Sequence, residues 1–465
     1  MRIMQIAYTH DAYTRVLQVQ NKRCATHAQC IKNFLDGGYW GGHVLTPALE
    51  RLGHDVFLCI PRDDQSQILW CKEHDIQIPP SPEYRLFIAA CQVAVFQPDV
   101  LYITIPQMMD DIFLSLLPQK PPLVIGWNAC RLPSHIRWTG YDLFLSSHSM
   151  YLEGALDRGA SRSARFFPGF PADMARGFPS GQLNDVAFSG YWTDQHVARN
   201  KFLSWLAQEL PPKGYTAAYY ISTFPDAPPL PPEISTINRG AIWGRSMLRA
   251  FSDSRIVLNA YAELGNGPQS VSPNMRQMEA TGMGAMLLTQ ASSNLRAFFT
   301  PGREVETFRD QKELMDKILF FLANEEERRT VAENGQRRCL NDFNMDMRAL
   351  AFMDRVNELF HPMNIPPETL IRTLRHLVGT PISEELRQSA LQLAIRGTDG
   401  ERNAVLDYFD SVPASDIKNL NFAKALRAMA QNQNEEAESL LRKELGMYPW
   451  NDDARGALSS LIMDA

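Results

Sequence analysis

Short apolar runs alternating with amphipathic stretches, twice over, constrain this chain more than any other feature. RIMQIAY (2–8), DVFLCI (55–60), DVLYIT (99–104), PLVIGW (122–127), DLFLSS (142–147) and ARFFPG (164–169) read as strands. Between them, HVLTPALERLG and FIAACQVAVFQ space apolar residues at i, i+3 and i+4, as a helix requires. Strands that are apolar throughout belong to a parallel sheet covered on both faces, with helices as the crossovers. A stretch rich in Pro, Gly and Phe, PGFPADMARGFPSGQ (168–182), interrupts the pattern. It restarts with DVAFSG (185–190), YTAAYYI (215–221), ISTIN (234–238), RIVLNA (255–260), AMLLT (285–289) and EVETF (304–308). The pattern predicts an α/β protein with two Rossmann-like domains, residues 1–175 and 183–345, and a hinge near 170–183. Ligands on such sheets bind outside the carboxyl ends of the strands. Two facing sheets therefore predict a site in the cleft between them.

After Pro362 no strand pattern remains, and residues 366–465 read as an all-α extension. Phe422, Ala425, Leu426 and Met429 share one helical face; Ala437, Leu440, Leu441 and Leu445 share the next. Helix, short polar turn, helix and then Pro449 resembles one tetratricopeptide (TPR-like) unit. A plain helical cap is the other reading of this tail.

Composition narrows the function classes. The chain has 465 residues, 45% of them hydrophobic and 21% charged, the balance of a water-soluble globular protein. A net charge of -6 argues against nucleic acid as the main partner. No apolar run approaches the ~20 residues of a membrane span. The opening MRIMQIAYTHDAY is too quickly polar for a signal peptide and reads as a first strand. Seven cysteines without a CxxC pair fit reduced thiols, so a cytoplasmic enzyme or scaffold without a zinc site is expected.

Two stretches carry chemistry. In SPNMRQMEATGMGAMLLT (272–289), Ser272 reads as an N-cap and Pro273 as the first helical residue, followed by Asn274, Arg276 and Glu279. A helix start attracts anions through its free N–H groups and dipole. Arg276 adds a forked cation, and Glu279 adds an acceptor for a sugar diol. That combination suits a nucleotide diphosphate. The second stretch, GGYWGGHVLTPALERLGHDV (37–56), places glycines ahead of a helix, where backbone can approach a ligand closely.

The second stretch resembles the first crossover of two-domain glycosyltransferases of the B fold (GT-B), with one departure. About thirty residues, Thr9 to Gly38, separate the first strand from the glycines, an insertion expected to cover the acceptor side. The run from INRGAIWG through RIVLNA to NMRQMEATGMGAMLLT resembles the donor half of that fold, in particular the spore-maturation-protein (CgeB-like) type. LRAFFTPGREVETFRDQKELMDKILFFL continues the likeness. The resemblance covers 185–355 well, the first half loosely and the tail not at all.

The resemblance implies a UDP- or GDP-type nucleotide sugar as donor substrate, with no further cofactor. No metal is required if Arg276 and the helix N–H groups supply the charge, and Asp110–Asp111 reads as a helix cap, not as a DxD loop. Asn274 and Arg276 would meet the diphosphate and Glu279 the ribose. Arg239 and Gly240 would lie near the base and phosphates, and Gly190 would give the donor room. Arg199 would add positive charge, and Gly41 and Gly42 would approach the donor from the first domain. Residues 346–360 would form a helix crossing back to that domain. An inverting enzyme also needs a general base near the acceptor hydroxyl. Candidates are Asp11 and His10 past the first strand and His43 at the Gly-rich turn, with His135 a weaker option. The expected partners are the nucleotide sugar, a glycan or protein acceptor, and a protein partner for residues 366–465. The rival readings are a sugar-nucleotide epimerase on the same scaffold and a non-catalytic interaction protein working through its tail.

Overall fold

The computed structural model describes residues 1–130, 133–175, 181, 183–223, 227, 229–261, 274–360, 365–412 and 416–464. Residues Met1–Leu295 and Phe299–Ala349 form one compact unit holding both sheets; Arg296–Phe298 and Leu350–Ala465 form a second.

In the first sheet, β1 (Arg2–Ile6), β2 (Asp55–Cys59), β3 (Val100–Ile103), β4 (Leu123–Trp127), β5 (Leu143–Ser146) and β6 (Ser163–Arg165) lie in the order β2-β1-β3-β4-β5-β6. The second contains β7 (Asn184–Tyr191), β8 (Ala217–Ser222), β9 (Ser254–Asn259), β10 (Met286–Gln290) and β11 (Glu306–Phe308), in the order β11-β10-β9-β7-β8. Every pairing is parallel. The two sheets are thus doubly wound α/β layers, as the alternating runs predict. Their apolar strands are covered on both faces: Met4, Ile103, Val124, Val186, Ile256 and Leu288 are fully buried. Each such side chain contributes roughly 1.5–3 kcal/mol relative to exposure. In each sheet the chain starts one strand in from an edge, steps to that edge and then crosses to the other side. The crevice at that reversal lies between β1 and β3 in one sheet and between β7 and β9 in the other.

Three local readings change. ISTIN was expected to be a strand, yet Pro232–Ile237 is a helix, and only Asn238 makes a bridge, to Tyr219. Prolines 231 and 232 preorganise a helix start, and Ile234 and Ile237 share a face at i, i+3. Two β-branched apolar residues three apart satisfy either pattern when only five residues are read. The helix expected to start at Ser272 and Pro273 begins at Met275, with Asn274 as N-cap; Ser272 and Pro273 lie outside the described residues. The run ARFFPG contributes only its first residues to a strand, because β6 ends at Arg165.

The insertion Thr9–Gly38 folds as two helices, Asp11–Asn21 and His27–Gly37. Two segments link the sheets, and they pair with each other: Phe170 N donates to Phe343 O at 2.7 Å. The helix Met345–Phe360 starts beside the first sheet's elements, where Arg51 Nε donates to Asp346 Oδ1 at 2.9 Å.

The second unit is helical. Helices Pro367–His376, Glu384–Arg396 and Asp399–Ser411 bury Leu370, Leu374, Leu391, Val405, Leu406 and Phe409 around one core. Leu420–Ala430, Asn434–Met447 and Asp452–Asp464 follow. Two arginines tie this unit together: Arg355 Nη2 meets Asp453 Oδ1 at 2.7 Å, and buried Arg455 donates to the carbonyls of Ala297 and Pro449, each at 2.7 Å. Among the described residues no helix is long and apolar enough to cross a membrane.

Candidate functional site

The carboxyl ends of β7 and β9 frame the second sheet's crevice, and Arg276 fills it. Its Nε donates to the Ser189 carbonyl on β7 at 2.8 Å, and its Nη1 donates to Asn259 Oδ1 on β9 at 2.6 Å. The guanidinium lies over the Phe188 ring, 4.6 Å from the centroid. Gly190 admits it: a Cβ there would sit 2.9 Å from Arg276 Nη2 and 3.0 Å from Phe188 Cζ. Gly190, expected to make room for the donor, has the arginine as its close neighbour.

Asn274 spends its side chain on the backbone. Its Oδ1 accepts from Gln277 N and Gln277 Oε1 accepts from Asn274 N, each at 3.3 Å, a reciprocal capping box. Its Nδ2 donates to Asn259 Oδ1 at 3.0 Å. Asn259 is therefore a hub, joined by Arg276 and Asn274 and donating onward to Thr289 Oγ1 on β10 at 2.9 Å. Asn259 is not among the sequence-predicted candidates. Its signal was the Leu-Asn that ends RIVLN, one of the motifs carrying the resemblance.

Glu279 lies one turn beyond Arg276 on the same helix. Burial pushes its carboxyl up to about 7 and the Arg276 guanidinium down to about 10, against the attraction between them. A guanidinium with pKa near 10 remains charged at neutral pH, whereas Glu279 titrates there.

The remaining second-sheet candidates divide. Arg199, on the helix Val197–Glu209, is buried, donates to the Tyr191 carbonyl and lies 5.8 Å from the Phe188 centroid. It braces the end of β7. Arg239 is exposed beyond the helix that replaced ISTIN, and its N–H donates to Tyr219 O at 2.7 Å. Gly240 follows at φ 83°, a left-handed conformation suited to glycine, with its N–H on Asn238 Oδ1 at 3.1 Å.

Residues following the first sheet's β1 meet this site at Tyr191. Tyr191 closes β7, and its hydroxyl lies 2.8 Å from His10 Nδ1 and 3.0 Å from Nε2. Burial pushes the Tyr191 hydroxyl up to about 12 and moves His10 below its ordinary value, so the imidazole is neutral near pH 7. Nearby, Gly244 faces the end of the insertion: a Cβ there would lie 2.1 Å from Gly37 O. Trp243 packs on the cluster of Tyr13, Phe34 and Tyr39.

The other first-sheet candidates have defined surroundings. Arg62 bonds the Asp11 carboxylate and holds it below the usual range, which favours an ion pair over a proton acceptor. His43 is buried against Trp40 and Trp127, with ring centroids at 4.7 and 3.9 Å, and burial alone pushes it down to about 3. Gly41 and Gly42 abut a linking segment, where Cβ atoms would lie 2.8 Å from Pro171 Cγ and 2.5 Å from Gly169 O. This close packing accounts for both glycines without a ligand. His135 is exposed.

Fold and site together define a doubly wound α/β protein with a cationic crevice where the second sheet reverses its strand order. Residues 199–354 match a family model described as glycosyl transferase-like. That span holds Arg199, Arg239, Gly240, Asn274, Arg276 and Glu279, and leaves out Gly190 and every first-sheet candidate. No curated protein matches the sequence. Among solved structures, the chain is similar to Anabaena HepE in complex with UDP and glucose. The identity is 12%, over 77% of this chain and 100% of that one, with a TM-score of 0.49. It is similar to sucrose-phosphate synthase from Thermosynechococcus elongatus at 13% identity, over 77% and 99% of the two chains, with a TM-score of 0.45. A glycosyltransferase from Rickettsia africae gives 10% identity over 77% and 98%, with a TM-score of 0.48.

Proposed function

We propose that this protein is a glycosyltransferase of the two-domain B fold that moves a sugar from a UDP- or GDP-type donor to a hydroxyl acceptor. The observation that carries the reading is Arg276, a cation held at the helix start in the second sheet's crevice, inside the matched span. Sugar transfer leaves a nucleoside diphosphate, and fixed donors aimed at that developing charge lower the barrier. Arg276 and the N-terminus of Met275–Gly282 would supply them, without a metal. Glu279 would accept from the ribose hydroxyls, with Arg239 and Gly240 nearer the base. Asn274 and Gly190 would position Arg276, Asn259 would anchor it, and Arg199 would brace the strand. For an inverting reaction His10 is the preferred base, being neutral and beside the crevice.

The functional division is residues 1–175 on the acceptor side and 183–345 on the donor side, with 346–360 returning the chain. The TPR-like tail, 366–465, would recognise a macromolecular acceptor or a second subunit. A panel of nucleotide sugars tested for thermal stabilisation checks the donor, since a ligand at about 100 times its Kd adds roughly 2.7 kcal/mol. Absence of stabilisation by every UDP and GDP sugar would sink the reading. Free nucleoside diphosphate released without any acceptor, together with an epimerised sugar, would replace transfer by epimerisation. Small hydroxyl acceptors used as efficiently as glycans or proteins would remove the role given to the tail.

A further inference from the structure

The end of β7 outruns its neighbour. The strand continues to Tyr191, yet its last pairing with β9 is Ala187 with Val257. Successive residues of a strand direct their backbone groups to opposite neighbours. Val186 N donates to Thr216 O and Trp192 N to Ser222 O, toward β8, so Ser189 and Tyr191 face the β9 side. Two arginines take up the carbonyls that β9 no longer reaches. Arg276 Nε donates to Ser189 O at 2.8 Å, and Arg199 donates to Tyr191 O. Phe188 is the first residue past the pairing and is fully buried. Both guanidiniums lie over its ring, Arg276 at 4.6 Å from the centroid and Arg199 at 5.8 Å.

Two hydrogen bonds fix only part of a planar fork. Nε on Ser189 O and Nη1 on Asn259 Oδ1 at 2.6 Å hold two corners of the Arg276 guanidinium and leave its tilt soft. Among the described residues nothing accepts from Nη2, which is therefore the nitrogen left for a ligand. A Cβ at Gly190 would lie 2.9 Å from Nη2 and 3.0 Å from Phe188 Cζ, so glycine keeps that corner and the ring in contact. A flat aromatic face beneath a guanidinium sets its tilt, and the ring quadrupole favours its charge, more strongly out of water.

We infer that Phe188 is a positioning residue, whose ring holds the Arg276 guanidinium at the tilt that turns Nη2 toward the crevice. Its effect on ligands rests on the nucleotide reading; the stacking does not. A ring acting through Arg276 affects a diphosphate and spares a nucleoside, which carries no phosphate. A side chain that only filled the core beside Leu203, Leu206 and Ile256 would move stability and both ligands together.

Calorimetric titration of Phe188→Leu with UDP and GDP, and with uridine and guanosine, separates the two roles. The diphosphate that binds the natural protein should bind the folded variant roughly three- to tenfold more weakly, the range of a cation–π contact. Its nucleoside should bind both proteins equally. Equal loss of the two ligands, or undiminished diphosphate affinity, overturns the role. The stacking is read in the natural protein without nucleotide, by magnetic resonance with isotope-labelled arginine. The Arg276 side-chain signals, identified as those missing from Arg276→Lys, should be displaced upfield by the ring current. Signals at the position of a solvated arginine overturn the stacking, and this measurement decides the matter if Phe188→Leu does not fold. Binding of neither diphosphate refutes the nucleotide reading, and the arginine spectrum then still upholds or overturns the stacking.

Discussion

The same doubly wound topology ends in two different chemistries. At the second sheet's reversal, a guanidinium bridges β7 and β9. At the first sheet's reversal, a neutral hydroxyl does the joining: Thr104 Oγ1 accepts from Tyr8 N at 3.1 Å and donates to the Ile6 carbonyl at 3.1 Å. Beside it stands an aromatic group, Tyr8 and Trp40 with centroids 5.1 Å apart and Trp127 beyond at 5.5 Å. Trp40 holds a left-handed φ of 52°, which is costly for a bulky residue and is compensated by this packing. One end presents a cation and the other presents ring faces and a hydroxyl. Function in this scaffold follows the side chains at the crevice, since the topology around them is shared.

The sharpest way to break that contrast is to remove its charge. Arg276→Ala should weaken UDP binding by about 1.5–3 kcal/mol, the worth of a charge-assisted hydrogen bond. Calorimetry beside a thermal melt separates this from unfolding, because Asn259 and Ser189 also lose a donor. Unchanged UDP affinity in a folded variant would refute the donor assignment.

The joint between the two ends comes next. Gly244→Ala and Gly302→Ala both place a side chain at positive φ, 54° and 77°, but nothing lies within 4 Å of a Cβ at Gly302. Gly302→Ala should cost about 1–2 kcal/mol from backbone strain alone. Gly244→Ala should cost distinctly more, because its Cβ would meet Gly37 O at 2.1 Å. Equal losses in denaturant unfolding would mean that the two sheets do not approach this closely in solution.

A smaller effect comes from pH. Burial raises the Glu279 carboxyl from 4.5 to about 7, so folding favours its protonated form. Its stabilising contribution is complete below about 4.5 and is lost as pH rises through about 7. Relative to Glu279→Gln, the natural protein should therefore lose stability across that window. Nucleotide affinity should move the opposite way, since the carboxylate is the better acceptor for a diol. Parallel pH profiles of melting and UDP binding for the two proteins would expose a carboxyl that titrates normally.

The smallest expected change is at the contact between the sheets. Tyr191→Phe should cost about 1 kcal/mol or less, the net worth of one hydrogen bond. A double-mutant cycle with His10→Ala should return a coupling of that size, and additive losses would dissolve the pair.

Much of the scaffold was legible because burial on both faces leaves uninterrupted apolar runs, as in DVLYIT and AMLLT. ISTIN failed because five residues are too few to separate a strand from a helix opened by two prolines. Among the candidate site residues, Arg276 and Glu279 stand out through their spacing beside a helix start. Asn259 was visible only as part of a motif. The Tyr191–His10 contact carried no sequence signal, its partners lying 181 residues apart.

The sequence by itself determined what depends on near neighbours: parallel strands with helical crossovers, a helical tail, and a polar helix start bearing a cation. Periodicity and composition report local burial, and local burial selects these elements. Only the tertiary structure decided which remote groups meet. It put Arg276 between Ser189 and Asn259, spent Gly41 and Gly42 on a linking segment, and enclosed His43 between tryptophans. Those outcomes follow from strand order, which brings β7 beside β9 across about 70 residues and cannot be read from either strand alone.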